Sequence, residues 1–330
     1  MSVPTSILPD FGSKIRGAYD LIRADIRRTP VEYSKTLSDL TGSRVFFKWE
    51  CDQFTGSFKL RGALHKLRVL SREERARGVV SASTGNHGLA ISHASRLEGV
   101  ELKLFLPTTV SDIKRKKIES LGVGIEYFGE SCEKTEARAR QEAESSGRVF
   151  VSPYNDWDII FGAGTLGLEI ADDVPNADDI LVPVGGGGLI AGVAGCLRAL
   201  RPAVRTMGVE PETSAFMAAS LEAGRLVDVE ESETIADAVA GGIEPGAITF
   251  PLCRDLVERI VTVPEALIAR AMAIVFESHR RVVEGAGALP VAALLGSPAL
   301  FRGRRVVAVV SGGNIAPDRF RAVTGLDVSL

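Results

Sequence analysis

The residue most able to do chemistry is Lys59, in the run Thr55-Gly56-Ser57-Phe58-Lys59-Leu60-Arg61-Gly62-Ala63. A strand ends near Glu50 and a helix starts around Ser57, which puts the lysine in the first turn. Helix N-termini favour anions. An ammonium held there gives up its proton more readily, which suits imine formation with an aldehyde. An ordinary surface lysine is the plainer alternative. All ten lysines lie at or before Lys134, whereas the 29 arginines run throughout, so any lysine chemistry draws on the first 134 residues.

Three further segments complete the set. Ser83-Thr84-Gly85-Asn86-His87-Gly88 follows a β run and precedes an apolar helix (89–94). Amides and small hydroxyls at such a junction suit a carboxylate or phosphate. A plain N-cap would use the same residue types, and His87 is either a base or a hydrogen-bonded helix-start histidine. Pro183-Val184-Gly185-Gly186-Gly187-Gly188-Leu189-Ile190 sets four glycines between a strand and a helix. Successive N–H groups there converge on a phosphate. The run lacks the P-loop lysine and is not GxGxxG. Glu210 is only a partial match to a ribose-binding acid, so a phosphate without a nucleoside fits better. Val309-Val310-Ser311-Gly312-Gly313-Asn314 is a strand end that aims Ser311 at the crevice where parallel sheets bind ligands.

These segments need strands and helices to hold them. Val45–Trp49, Val79–Ser81, Leu102–Leu106, Gly124–Phe128, Ile180–Val184, Thr206–Glu210 and Arg305–Val310 read as strands. Ser111–Leu121, Cys132–Ser146, Leu189–Leu200 and Pro264–Arg280 read as helices. The alternation predicts an α/β protein with parallel sheets. A length of 330 residues allows roughly two domains. Net charge is −3, giving no global pull toward nucleic acid or an anionic membrane. Lys114-Arg115-Lys116-Lys117 reads as one surface helix turn. Ile180–Leu197 and Gly285–Phe301 are uncharged enough to need checking as membrane spans, but glycine and proline break both, and buried core plus loops is expected. Four scattered cysteines and four histidines show no zinc spacing. The start MSVPTSILPDFGSKIR lacks an apolar signal core, so a reduced, cytoplasmic setting is expected.

The four segments, in this order, resemble the fold-type II pyridoxal phosphate enzymes (tryptophan synthase β-like), specifically the threonine/serine dehydratase and serine racemase group. Arg28-Thr29-Pro30 is similar to an early segment of that family, and Tyr154-Asn155-Asp156 with Gly162–Glu169 to its glycine-rich stretch. The resemblance implies two parallel-sheet α/β domains with the cofactor in the cleft between them: a large domain of residues 1–52 and 154–330, and a small one of residues 53–153. It implies a Schiff base between pyridoxal 5'-phosphate and Lys59, which later removes the substrate α-proton. Phe58 packs beside the cofactor ring, Asn86 hydrogen-bonds its hydroxyl, and Glu284 lies near it. Gly185, Gly186, Gly187, Gly188 and Leu189 cradle the phosphate, and Ser311, followed by Gly312, faces the pyridine nitrogen. Ser83, Thr84, Gly85, Asn86 and His87 hold the substrate carboxylate, with Ser83 and Thr84 beside the reacting carbon.

The activity so implied is an ammonia-lyase (dehydratase) that removes water from a small 3-hydroxy amino acid such as threonine or serine, leaving a 2-oxo acid and ammonia. A neutral hydroxyl at the pyridine nitrogen makes the ring a shallower electron sink than a carboxylate would. β-Elimination is then favoured over a long-lived carbanion. An amino-acid racemase is the alternative; there Thr84 stands where racemases carry a serine, keeping the hydroxyl but adding a methyl, which weakens that reading. A second alternative is a dehydratase of hydroxyectoine-type catabolism, on the strength of Gly241-Gly242-Ile243 and Val283-Glu284-Gly285-Ala286-Gly287. Glu210 and Ser214 match two of three metal ligands of some relatives, but Phe216 replaces the aspartate, leaving a metal doubtful. Ala163 replaces a glutamine, and Ala238 replaces a glycine near the cofactor, which narrows the substrate space. The chain ends soon after Asn314, so no regulatory domain is expected. A homodimer or higher homo-oligomer is the family expectation.

Overall fold

The computed structural model describes residues 7–110, 112–230 and 232–327. Among the described residues ten strands form two sheets. They are β1 (Val31–Tyr33), β2 (Arg44–Trp49), β3 (Val79–Ala82), β4 (Leu102–Leu106), β5 (Gly124–Tyr127), β6 (Val149–Phe150), β7 (Asp179–Pro183), β8 (Arg205–Pro211), β9 (Arg259–Val263) and β10 (Arg305–Val310). A six-stranded sheet runs β1-β2-β10-β7-β8-β9 and a four-stranded sheet runs β5-β4-β3-β6. Every pairing is parallel except β1 with β2, at the edge of the larger sheet.

The central strands are continuous apolar runs because helices cover both their faces. Every residue of β7 is buried, as is all of β10 from Val306 to Val310. All seven expected strands form, with ends shifted by at most one residue. The strands β1, β6 and β9 were missed; the two or three residues of β1 and β6 carry too little periodicity to show, and β9 is a five-residue edge strand.

Helices Trp157–Asp173 and Gly188–Leu200 pack closely on the large sheet. A Cβ on Gly164 would come within 2.9 Å of the Gly192 carbonyl, so these glycines serve backbone-to-backbone packing. Residues 285–296 are buried core from Gly285 to Leu294, as expected, but they form a helix rather than loops despite Pro290. Among the described residues no helix is long and apolar enough to cross a membrane. Of the helix expected at Ser111–Leu121, Asp112–Glu119 is helical, while Ser111 lies outside the described residues. The side chains of Lys114 and Lys117 also lie outside them, as does the chain start up to Ser6.

Candidate active site

Lys59 opens the helix Lys59–Val69, two residues later than the sequence suggests. Ser57 is held outside the helix by a β-bridge to Gly312, and the Phe58 N–H donates to the Ser311 carbonyl at 3.0 Å. The helix is anchored by Leu60, Ala63, Leu64 and Leu67, all fully buried at helical spacing. Lys59 Nζ donates to the Pro153 carbonyl at 2.8 Å and lies over the Phe58 ring, 5.1 Å from its centre. Burial pushes its amine down from 10.5 to about 8, with the Glu284 carboxylate pulling the other way. An appreciable fraction is therefore unprotonated near neutrality, the form that attacks an aldehyde.

Ser83–Gly88 lies at the carboxyl end of β3, where helix Asn86–Glu98 starts. Its N-cap is Gly85, and no side chain caps it. The plain capping alternative therefore fails, and the hydroxyls of Ser83 and Thr84 are not engaged at N2 or N3; Ser83 Oγ accepts only a 3.3 Å contact from the Gly85 N–H. Asn86 faces the six-stranded sheet. Its Nδ2 donates to Glu284 Oε1 at 2.6 Å and its Oδ1 accepts from Asn314 Nδ2 at 2.7 Å. His87 points the other way, with Nε2 3.0 Å from Ser81 Oγ beneath the turn. Burial, aided by the charge of Lys59, holds the imidazole neutral, down to about 3. The His87 side chain is thus a strut, committed beneath the turn.

The glycine loop leaves the carboxyl end of β7 and opens helix Gly188–Leu200. Gly187 has φ +86°, a left-handed conformation that only glycine adopts without strain. A Cβ on Gly186 would collide with the Tyr154 ring. That ring is fixed at its far end, where its hydroxyl accepts the Glu244 N–H at 2.9 Å. The first amides of a helix have no intrahelical partner, so Gly188 and Leu189 offer theirs to an anion. Ser311, 4% exposed, closes the set at the end of β10. Residues from two sheets and four strand ends therefore converge where parallel sheets bind ligands.

Residues 22–312 match the model of the family described as "Pyridoxal-phosphate dependent enzyme". The chain belongs to this family. It is 40% identical over 301 residues to an L-threonine ammonia-lyase of Thermotoga maritima, covering 91% of this chain and 75% of that one. It is 36% identical to a catabolic L-threonine dehydratase of Escherichia coli K12, covering 91% and 92%. Among solved structures, the processed form of threonine deaminase isoform 2 from Solanum lycopersicum superposes with TM-score 0.92 at 31% identity, over 100% of this chain and 95% of that one. Maize serine racemase follows with TM-score 0.88 at 33% identity, over 92% and 94%. The fold is fold-type II, and the chain is a pyridoxal-phosphate-dependent enzyme.

The residues present fit the family's cofactor. A desolvated lysine amine, a glycine loop at a helix start and a neutral hydroxyl at the far strand end supply what an aldehyde, a phosphate and a pyridine nitrogen need. Ser57 Oγ and Thr249 Oγ1 are buried without a partner at the two ends of this array, beside Gly312 and Gly187 respectively.

Two residues weighed as metal ligands have other partners. Both Glu210 oxygens accept backbone N–H groups, from Met217 at 2.9 Å and Ala218 at 2.8 Å, which caps helix Phe216–Ala223. Burial nevertheless pushes this carboxyl up to about 7. Ser214 Oγ accepts from the Gly241 N–H at 3.3 Å. Among the described residues no three His, Cys, Asp or Glu side chains gather to hold a metal.

Sequence reasoning missed the buried ionic network under the lysine helix. Arg61, fully buried, grips Glu50 through Nε and Nη2 and Glu169 through Nη1 and Nη2, at 2.7–3.0 Å. Lys48 Nζ, also fully buried, lies 2.7 Å from Glu169 Oε2. Thr29 of the Arg-Thr-Pro segment donates to Glu50 Oε1 at 2.5 Å. Arg61 was visible two residues after Lys59, but nothing local showed that its partners lie 11 and 108 residues away.

Proposed function

We propose that the chain is a pyridoxal-phosphate-dependent ammonia-lyase that converts a small 3-hydroxy amino acid, such as threonine or serine, into a 2-oxo acid and ammonia. The observation that carries this is the pairing of a readily deprotonated Lys59 with the neutral Ser311 hydroxyl across one cleft. The relatives named as threonine ammonia-lyases and dehydratases support it.

Pyridoxal phosphate, when bound, supplies the electron sink that makes the α-proton acidic. The remaining work falls to this chain. Lys59 holds the cofactor through its amine and afterwards takes the α-proton. Gly185–Leu189 fix the phosphate through backbone N–H groups. Ser311 meets the pyridine nitrogen without adding charge, and Phe58 packs beside the ring. Asn86, itself held by Glu284 and Asn314, donates to the ring hydroxyl. Ser83, Thr84 and Gly85, with the His87 amide, orient the substrate carboxylate. Loss of the α-proton and β-hydroxyl as water leaves an enamine that tautomerises and hydrolyses, so the net products are one 2-oxo acid and one ammonia. The cleft lies between a small unit, residues 53–153, and the remainder, which we take to form a cytoplasmic homodimer. A metal at Glu210 is not part of this proposal.

The test is a panel of 3-hydroxy amino acids scored for 2-oxo acid. Pyruvate from serine and 2-oxobutyrate from threonine are expected; no 2-oxo acid from any member overturns the reading. A racemase reading is weakened by Thr84, which keeps the hydroxyl of the serine that racemases carry but adds a methyl. It predicts D-enantiomer from L-serine in excess of pyruvate.

A further inference from the structure

The side-chain amide of Asn86 has two faces, an oxygen that accepts and a nitrogen that donates. Which face meets a ligand depends on how the amide is turned. Its surroundings settle this through a one-way chain of donors that starts at a backbone atom. The Thr55 carbonyl can only accept, so the Asn314 atom 2.8 Å from it is the nitrogen. That nitrogen carries two hydrogens, and its second contact is Asn86 at 2.7 Å, which must therefore present its oxygen. The Asn86 nitrogen then faces Glu284 Oε1 at 2.6 Å, where a carboxylate accepts it. One N–H goes to Glu284, and the other is taken by neither Glu284 nor Asn314.

Asn314 is itself locked. Gly56 has φ +72°, and a Cβ there would sit 2.6 Å from Asn314 Oδ1, so the amide rests directly on the glycine backbone. The Gly313 N–H donates to the Gly56 carbonyl at 3.0 Å, which ties the same two loops together. The chain thus joins three segments: the loop before Lys59, the end of β10, and the helix start after β3.

We infer that Asn314 is a positioning residue: anchored on the Thr55 carbonyl, it sets the orientation of the Asn86 amide so that Asn86 donates toward the cofactor ring. This rests on the proposed placement of Asn86 beside that ring. Asn314 need not touch the cofactor. Its substitution acts because an Asp at 314 would oppose oxygen to oxygen at both the Thr55 carbonyl and Asn86 Oδ1. Whichever way the Asn86 amide then lies, its oxygen faces a carboxylate oxygen, at position 314 or at Glu284, so it is no longer held in one orientation.

The experiment uses the cofactor-loaded protein and reads the pH midpoint of the visible band of the lysine-bound cofactor, which a merely structural role would not move. Asn314→Asp is expected to shift that midpoint in the same direction as Asn86→Ala and to lower kcat about tenfold, as for loss of one oriented hydrogen bond. The double variant should match Asn86→Ala alone, because both act through one group. If Asn314→Asp does not fold, Asn314→Ala gives the same readout with a smaller shift. An unshifted midpoint in both Asn314 variants, while Asn86→Ala moves it, overturns the role of Asn314. Additive shifts in the double variant overturn it too. An unshifted midpoint in Asn86→Ala overturns the placement of Asn86, and the proposal with it.

Discussion

Lys59 and Arg61 are two cations in one helical turn, and their surroundings differ completely. On the cleft side, Lys59 meets a carbonyl and an aromatic face. On the buried side, Arg61 meets four carboxylate oxygens from two elements. Desolvation acts against the charge of both, yet with opposite outcomes. Lys59 is pushed down to about 8, whereas the carboxylates of Glu50 and Glu169 hold Arg61 above its usual range. Reciprocally, Arg61 holds Glu50 below the usual carboxylate range even though burial opposes that. A primary amine can release its proton and become a nucleophile; a guanidinium cannot, and suits a permanent clamp. The helix start is thus held rigidly by one cation so that its neighbour can be reactive.

Removing each cation should break different things. Lys59→Ala is expected to cost at least about 100-fold in kcat and to abolish the visible band of the bound cofactor, with little change in melting temperature. Persistence of that band would place the cofactor on another lysine. Arg61→Met should do the reverse, destabilising the fold by about 3–5 kcal/mol because it leaves Glu50 buried without its guanidinium partner and Glu169 with Lys48 alone. Denaturant unfolding measures this, and a loss below about 1 kcal/mol would contradict the clamp. Arg61→Lys keeps the charge but not the fork that reaches both carboxylates. An intermediate loss of about 1.5–3 kcal/mol is expected from the same measurement.

The finest test is pH. In the cofactor-free protein Lys59 titrates near 8 rather than 10.5, so between these values the unfolded chain binds more protons than the native one. Stability relative to Lys59→Met should therefore rise with pH across that window and flatten above it. A difference that stays level would show that Lys59 is not desolvated.

Much of the site was legible. Four segments carried their chemistry in residue type, and each lies at a strand's carboxyl end, where the strand–helix alternation put it. What escaped was relational. Asn86 and Glu284 are neighbours across 198 residues, and the turn of one amide depends on Asn314. His87 sat inside the right motif, yet its ring was committed to Ser81 beneath the turn. Glu210 matched a ligand pattern, but a helix start three-dimensionally adjacent to it had taken both oxygens.

The sequence alone determined the fold class and the order of the four segments, and it singled out Lys59 as the candidate lysine. Periodicity and residue chemistry are local properties, and each segment carries its own. Only the tertiary structure decided which polar groups are engaged with protein and which face the cleft. It separated Lys59 from Arg61 although they share a motif, a charge and a helical turn. Their difference lies in what packs against each one, and those partners come from just after β2, from just after β6 and from the helix Trp157–Asp173, brought there by burial of apolar faces that the motif does not contain.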